Sequence, residues 1–392
     1  MPHRLLDFIS SLKLTLFCLV AALLLVFAGT LAQVNHGVHL VQERYFQSLF
    51  IWWPPDSTGF KIPVFPGGHL LGAVLLINLI AAHLRRFRWN WRKLGIHLTH
   101  AGLIIMLLGG LFTDLFSVES RMRLTNGETK NYCEDSLKME LAVIDETAPD
   151  LEQVTAIPEK ILARGGTVTH PSLPFRMMVK HFYRNSQIQM LDKAGPGAKP
   201  ASDHGIGTRL AVAELPRAAA LNDSDLLSAI IEIVPVPATG EATALSLGTW
   251  LVSDGLGAPQ KFFCAGRQWR LELRPARYYK PYSLTLKRFT HESYAGTEIA
   301  KNFASRVALT DEERRENRDV LIYMNHPLRY RGDTFYQASF EKGDQATILQ
   351  VVHNPSFLAP YVACVVVAAG LLLQFSIHLA GFARRRKTES SS

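Results

Sequence analysis

Five histidines fall in or at the rims of long apolar stretches of this 392-residue chain: His69, His83, His97, His100 and His378. An ionisable side chain in such surroundings is costly and is by default a candidate functional group. A neutral imidazole carries one donor and one acceptor, so it can be satisfied by neighbours, or its lone pair can ligate a metal such as haem iron. His97 and His100 stand three residues apart and share a helical face. Residue type and spacing leave both chemistries open, a hydrogen-bonded pair or an axial ligand.

Depth separates these residues. His100 lies six residues past Leu94, about 9 Å into its apolar block at the helical rise. His378 precedes Arg384 by six residues and has a comparable depth, and His97 is shallower by a turn. His83 is two residues from Arg85, and His69 opens its block, so both are expected at headgroup level.

The elements that carry these residues are apolar helices. Residues 14–32, 67–84, 94–112 and 357–383 contain no Asp, Glu, Lys or Arg, and each reaches the roughly 18 to 20 residues that cross a ~30 Å hydrocarbon core. The first block follows Arg4 and Lys13, which makes a cleavable signal its rival. Its apolar run exceeds the roughly 7 to 15 residues of a signal peptide, so it is read as a retained span.

Lys and Arg set the expected orientation. Arg85, Arg86, Arg88, Arg92 and Lys93 crowd the loop between the second and third spans, and Arg384, Arg385, Arg386 and Lys387 follow the fourth. With Arg4 and Lys13 they place both termini and this loop in the cytoplasm. These segments alone net +9 against +8 for the whole chain, so the rest sums to −1. The basic balance is a topology signal facing the lipid bilayer, and nucleic acid is not an expected partner.

The third span has a second face. Gly95, Gly102 and Gly109 recur every seven residues as a ridge that lets another helix approach closely. His97 and His100 point roughly opposite that ridge. The helix is therefore expected to be sandwiched, glycines against one neighbour and histidines toward another helix or a cofactor.

Residues 33–66 join the first two spans and hold Tyr45, Phe46, Phe50, Trp52, Trp53, Phe60 and Phe65. They are read as an interfacial belt or a helix lying on the membrane, with a platform for a flat cofactor as the alternative. From 117 to 355 the chain changes character. Runs at 138–144, 176–182, 268–273 and 282–289 read as strands, and the Gly-, Pro- and Ala-rich stretch 193–208 as a long loop between two β segments. Near the end, 319–324 is strand-like, and 334–340 is expected to pair back on it as a hairpin.

The expected fold class is thus membrane α + β. Residues 1–116 form a membrane region with three transmembrane helices, and 117–355 form a large β-rich extracytoplasmic domain inserted between helices 3 and 4. Residues 356–392 give the fourth helix and a basic cytoplasmic tail. Cys18 and Cys364 lie in spans, and Cys133 and Cys264 lie in the β-rich region, where pairing is left open. No C-x-x-C-H, G-x-x-x-x-G-K-[ST], G-x-S-x-G or H-E-x-x-H occurs, which argues against covalent haem attachment to this chain, a P-loop ATPase, a serine hydrolase of that type and a zincin. His170, His181, His204 and His291 lack ligand spacing and are read as surface or core residues.

Three motif groups carry a family resemblance. They are Gly95-Ile96-His97-Leu98-Thr99-His100-Ala101-Gly102, then Tyr294-Ala295-Gly296-Thr297 leading to Asn302-Phe303-Ala304-Ser305-Arg306-Val307, and above all Tyr323-Met324-Asn325-His326-Pro327-Leu328 with Gly332-Asp333-Thr334-Phe335-Tyr336-Gln337. With the layout of spans, they make the chain resemble the ResB (CcsB) family of the System II cytochrome c biogenesis pathway. Nothing is carried onto residues 150–245.

The resemblance implies a multi-span partner of ResC/CcsA type, apocytochrome c as client, and haem b bound transiently and without covalent attachment. It implies a non-catalytic subunit of a membrane cytochrome c synthase, or haem lyase, with no catalytic residue assigned here. The family histidine thought to ligate haem iron matches His100, with His97 as second candidate. The lack of an Arg- and Ser-rich leader leads to an expected place in the bacterial inner (cytoplasmic) membrane, with the large domain periplasmic. Two other classes stay open: a b-type haem electron carrier using His100 with His378, and a non-haem transport accessory with a periplasmic arm.

Reporters at both termini and at Arg88 are expected to read cytoplasm and one at Gly197 the outside. An Arg88 reporter exposed to the outside would overturn this topology.

Overall fold

A computed structural model describes residues 2–54, 60–86, 90–148, 151–195, 197–216, 225–236, 245–293, 300–341 and 346–389. Arg88 and the Tyr294-Ala295-Gly296-Thr297 motif lie outside the described residues. The chain divides into two compact units, one of Met1–Val118 with His353–Ser392, the other of Glu119–Ala218 with Asn222–Val352.

The first unit is built on four helices long and apolar enough to cross a membrane, Leu12–His36, Gly68–Arg86, Leu94–Phe116 and Ala359–Glu389. Each overlaps an expected block, starting within two residues of it and running up to six residues past its end. The first helix starts where the Ser11 side chain accepts the Leu14 N–H, an N-cap that separates it from the short helix Pro2–Ile9. Buried Asn78 of the second helix holds this break together. Its side-chain amide donates to the Ser11 carbonyl at 3.1 Å, and its oxygen accepts the Thr15 hydroxyl at 2.6 Å.

The aromatic segment between the first two helices is not a surface helix. After a π-turn at Gln42–Phe46, Phe50–Trp53 pairs antiparallel with Ile62–Pro66. Ile51 and Phe65 stand opposite each other and pack toward Ala21, Leu25 and Leu71, while Trp52 and Trp53 remain exposed. Proline at 54, 63 and 66 removes the donors a helix would need there.

The second unit centres on the 27-residue strand Arg267–Ser293, which pairs antiparallel with Thr129–Asp145 on one side and Ala300–Asp311 on the other. It belongs to a ten-stranded sheet, and a four-stranded sheet carries Thr249–Ser253, Ser228–Pro235, Phe175–Tyr183 and Gly166–Val168. Two cores result. Leu271 and Leu273 join Phe175, Phe262 and Trp269 in one, and Leu284 and Leu286 join Tyr282, Leu328, Tyr330 and Phe335 in the other. The two-residue spacing of these leucines is the strand period. All four runs read as strands lie in strands, and the long loop falls between the paired strands Ser186–Met190 and Leu210–Glu214.

Cys264 lies in the first core and Cys133 in the second, and both thiols are free. Burial pushes the Cys133 thiol up to about 11, so it is a packed, unreactive group.

The terminal hairpin departs from its expected pairing. Glu316–Tyr323 pairs with Ala300–Asp311, whereas Asp333–Phe340 pairs with the intervening short strand Leu328–Tyr330. The chain reverses twice rather than once, because Asn325 and the Arg331-Gly332 pair both adopt positive φ, 64° at the first turn and 46° and 85° at the second.

Phe335, fully buried at 0% exposure, anchors this hairpin in the second core. Phe335→Ala should destabilise the β-rich unit by about 3 to 5 kcal/mol, while exposed Tyr336→Ala should have little effect. Thermal unfolding of the intact protein in detergent checks both, and a Phe335→Ala melt equal to wild type would contradict this core assignment.

Candidate histidine site

The third helix is fixed in rotation by its glycine ridge. A Cβ added at Gly95 would lie 2.5 Å from the Gly370 carbonyl oxygen, one at Gly102 2.6 Å from a Val367 methyl, and one at Gly109 2.5 Å from the Ala359 methyl. All three neighbours belong to the fourth helix, so only glycine permits this approach. Polar contacts close the seam beyond Gly109, where the Ser356 hydroxyl donates to the Gly109 carbonyl at 3.1 Å and lies 2.8 Å from the Thr113 hydroxyl.

With its glycines against the fourth helix, the third helix turns His97 and His100 toward the second. There they meet His83. The His83 ring stacks near His100 with centroids 5.8 Å apart and an interplanar angle of 27°, and it meets His97 edge-on at 5.3 Å. The expected sandwich is therefore present, with the second helix on the histidine side. Its histidine was not singled out as a site residue from sequence, because depth alone made His83 an interfacial group.

His100 Nδ1 lies 2.8 Å from the Ile96 carbonyl oxygen. A carbonyl only accepts, so Nδ1 bears the proton, and in the neutral ring the lone pair sits on Nε2. Backbone bonding of one ring nitrogen is how proteins fix the tautomer and orientation of a ligating histidine. The donor set thus fits haem iron at His100 on its own chemistry. The described residues hold no group of three or more His, Cys, Asp or Glu suited to a small metal ion.

His378 is exposed on the fourth helix and makes no ring contact with this cluster among the described residues. The fourth helix packs on the glycine ridge, roughly opposite the histidine face, so the pairing of His378 with His100 does not form. At the other end of the second and third helices, the His69 ring reaches Asp114, with Nε2 2.7 Å from Oδ2. Asp114 was not considered from sequence because it lies just past the apolar block.

The resemblance motifs of the β-rich unit are structural in this fold. Asp333 accepts the Tyr282 hydroxyl at 2.5 Å and lies 2.8 Å from Lys280 Nζ. Asp311 accepts the Tyr330 hydroxyl at 2.7 Å and lies 2.8 Å from Arg331 Nε. Burial alone would raise the Asp311 carboxyl, but the Arg314 N–H, the Tyr330 hydroxyl and the Arg331 charge together hold it below the usual range. Gln337 and Ser305 meet Thr347 at 2.7 and 2.9 Å, tying the two motif groups together. His326 stacks on Tyr323 at 4.1 Å at the turn.

The ResB-like family profile matches residues 248–348. Protein NrfI of Wolinella succinogenes is 33% identical over 92 residues, 24% of this chain and 10% of that protein. Cytochrome c biogenesis protein CcsB of Picosynechococcus sp. is 36% identical over 81 residues, 21% of this chain and 17% of that one. The alignments thus span small parts of both relatives. The matched residues take in the Asn302 to Val307, Tyr323 to Leu328 and Gly332 to Gln337 motifs, while the histidine run of the third helix lies outside them. On that segment the resemblance holds, and residues 248–348 match the ResB-like family.

Proposed function

We propose that this chain is a haem-handling subunit of a membrane cytochrome c assembly complex, working with a ResC/CcsA-type multi-span partner to deliver haem to apocytochrome c. The reading is supported by the family match and by the name of the relative CcsB. The single observation that carries it to named residues is His100, whose Nδ1–H is held by the Ile96 carbonyl while His83 and His97 crowd beside it.

Haem here is cargo. His100 supplies one axial nitrogen through Nε2, and His97 is the second candidate one turn away. The Ile96 carbonyl keeps the ring from rotating and makes it a better donor. The other axial ligand comes from the partner. Both termini and the basic loop lie in the cytoplasm, the β-rich region stands outside the inner membrane between the third and fourth spans, and haem enters from the cytoplasmic end. A self-contained electron carrier would need two axial histidines of its own, and His378 stands on a helix packed against the opposite face of the third.

Co-purification with the partner, followed by haem staining and absorption spectra, tests the reading. His100→Ala should lose haem by at least the roughly 10- to 100-fold that follows from removing a mere outer partner of a metal ligand. It should stop cytochrome c maturation at normal protein levels, and added imidazole should partly restore both. Loss in His97→Ala but not in His100→Ala would move the ligand one turn, and full haem in both variants would sink the haem-ligand reading.

A further inference from the structure

We propose that a cavity between the start of the first long helix and the end of the second holds the phosphate of one anionic phospholipid, with Lys13 and Arg85 as its cations. The site shares no residue with the histidine cluster and does not rest on the haem reading.

The cavity measures about 460 Å³ and is lined by Asp7, Ser10, Ser11, Leu12, Lys13 and Arg85. Its size falls within the roughly 300 to 1,000 Å³ of small-molecule sites. Lys13 directly precedes the apolar block 14–32, and Arg85 directly follows the block 67–84. Both cations therefore stand at the edge of the hydrocarbon core, the level at which lipid phosphates lie, and basic pockets between spans are a known form of headgroup site.

The donors are arranged for an anion. Arg85 Nη1 holds the Asp7 carboxylate and donates to the Ser10 hydroxyl at 3.2 Å. Both contacts go through Nη1, which leaves the rest of the planar guanidinium fork to phosphate oxygens. Lys13 has no ion-pair partner among the described residues. Ser11 Oγ accepts the Leu14 N–H at 3.2 Å, and its own proton remains to be donated. Asp7 offsets one of the two cations, so the lining keeps a single positive charge, which matches the single negative charge of a phosphodiester.

The cavity is a fixed feature of the fold, because the helix break that opens it is tied down. The Asn78 side-chain amide donates to the Ile9 and Ser11 carbonyls at 2.5 and 3.1 Å, and the Ser10 hydroxyl donates to the Leu6 carbonyl at 2.7 Å. These bonds satisfy carbonyls that the end of the short helix Pro2–Ile9 leaves without helical partners. That helix also exposes Leu5, Leu6 and Phe8, and Leu12 is exposed at the cavity itself. Apolar side chains beside a cationic cavity fit an amphiphile, with its phosphate on Lys13 and Arg85 and its acyl chains along the leucines. A free phosphate gains nothing from that apolar surface, and the cation of a zwitterionic headgroup is repelled by the same two side chains.

The test uses the full chain in a neutral detergent, with phosphatidylglycerol, phosphatidylcholine and inorganic phosphate as probes, and reads lipid bound per chain by native mass spectrometry. One phosphatidylglycerol should stay bound in preference to phosphatidylcholine, and millimolar inorganic phosphate should not displace it. Lys13→Ala should weaken binding about fivefold, and Lys13→Ala with Arg85→Gln about 25-fold, at roughly 1 kcal/mol for each basic side chain. Arg92→Ala with Lys93→Ala removes the same charge from the basic segment outside the cavity and should leave binding unchanged. Lys13 forms no ion pair that the fold would lose, so its single variant stays readable if the double variant unfolds. Wild-type binding in Lys13→Ala, equal binding of the two lipids, displacement by inorganic phosphate, or an equal loss in the Arg92 and Lys93 variant would overturn the site.

Discussion

The membrane unit depends on the seam between the glycines of the third helix and the fourth helix. Helices in lipid gain little from hiding apolar surface, because the surrounding chains are equally apolar, so close packing and hydrogen bonds decide which faces meet. Gly95, Gly102 and Gly109 offer no side chain, and Gly370 answers from the fourth helix, where its own Cβ would meet the Thr99 backbone nitrogen at 2.7 Å. That contact sets the rotation of the third helix about its axis. Once it is set, the face bearing His97 and His100 has one neighbour to meet, the second helix, and His83 follows.

Several polar groups among these helices have specific partners. Asn78 accepts from Thr15 and donates to the Ser11 carbonyl at the break before the first helix. His100 uses the carbonyl one turn back, and His69 uses Asp114. Each partner consumes one side of the ring or amide. The consequence for the histidines is chemical: which nitrogen is tied decides which nitrogen keeps its lone pair in the neutral ring, Nε2 at His100 and Nδ1 at His69.

Much of this was legible in the sequence where the signal was local. The four helices came from uninterrupted apolar runs, and the ridge from a seven-residue glycine period. The runs 268–273 and 282–289 were read as strands from alternating or clustered apolar residues, and the structure joins both in the single strand Arg267–Ser293. What the sequence hid was lateral. His83 was judged by depth along its own helix, which says nothing about the neighbour it faces, and Asp114 fell beyond the block searched for ionisable groups. The aromatic segment was read through composition, while its prolines and the Ile51 and Phe65 pair made a hairpin. The pairing of 334–340 failed for another reason. A single turn was assumed, and the positive φ at Arg331, a residue type not suited to it, gave no warning of a second.

Recognition and proposed chemistry fall on different residues, and the fold supplies the reason. The matched segment 248–348 makes several strict local demands: left-handed turns at Asn325 and Arg331, carboxylates buried at Asp311 and Asp333, and the Phe335 ring with no exposure. A buried carboxylate without its partners is strongly destabilising, so Tyr282 with Lys280 and Tyr330 with Arg331 are required together with the acids they serve. Such linked requirements write a long, specific pattern into a sequence. A span histidine demands far less of its surroundings: one carbonyl on its own helix and room on one face. Its pattern is correspondingly short, two histidines and a glycine period, and a protein can carry its most distinctive residues in the scaffold while its span histidines stand in helices of ordinary apolar composition.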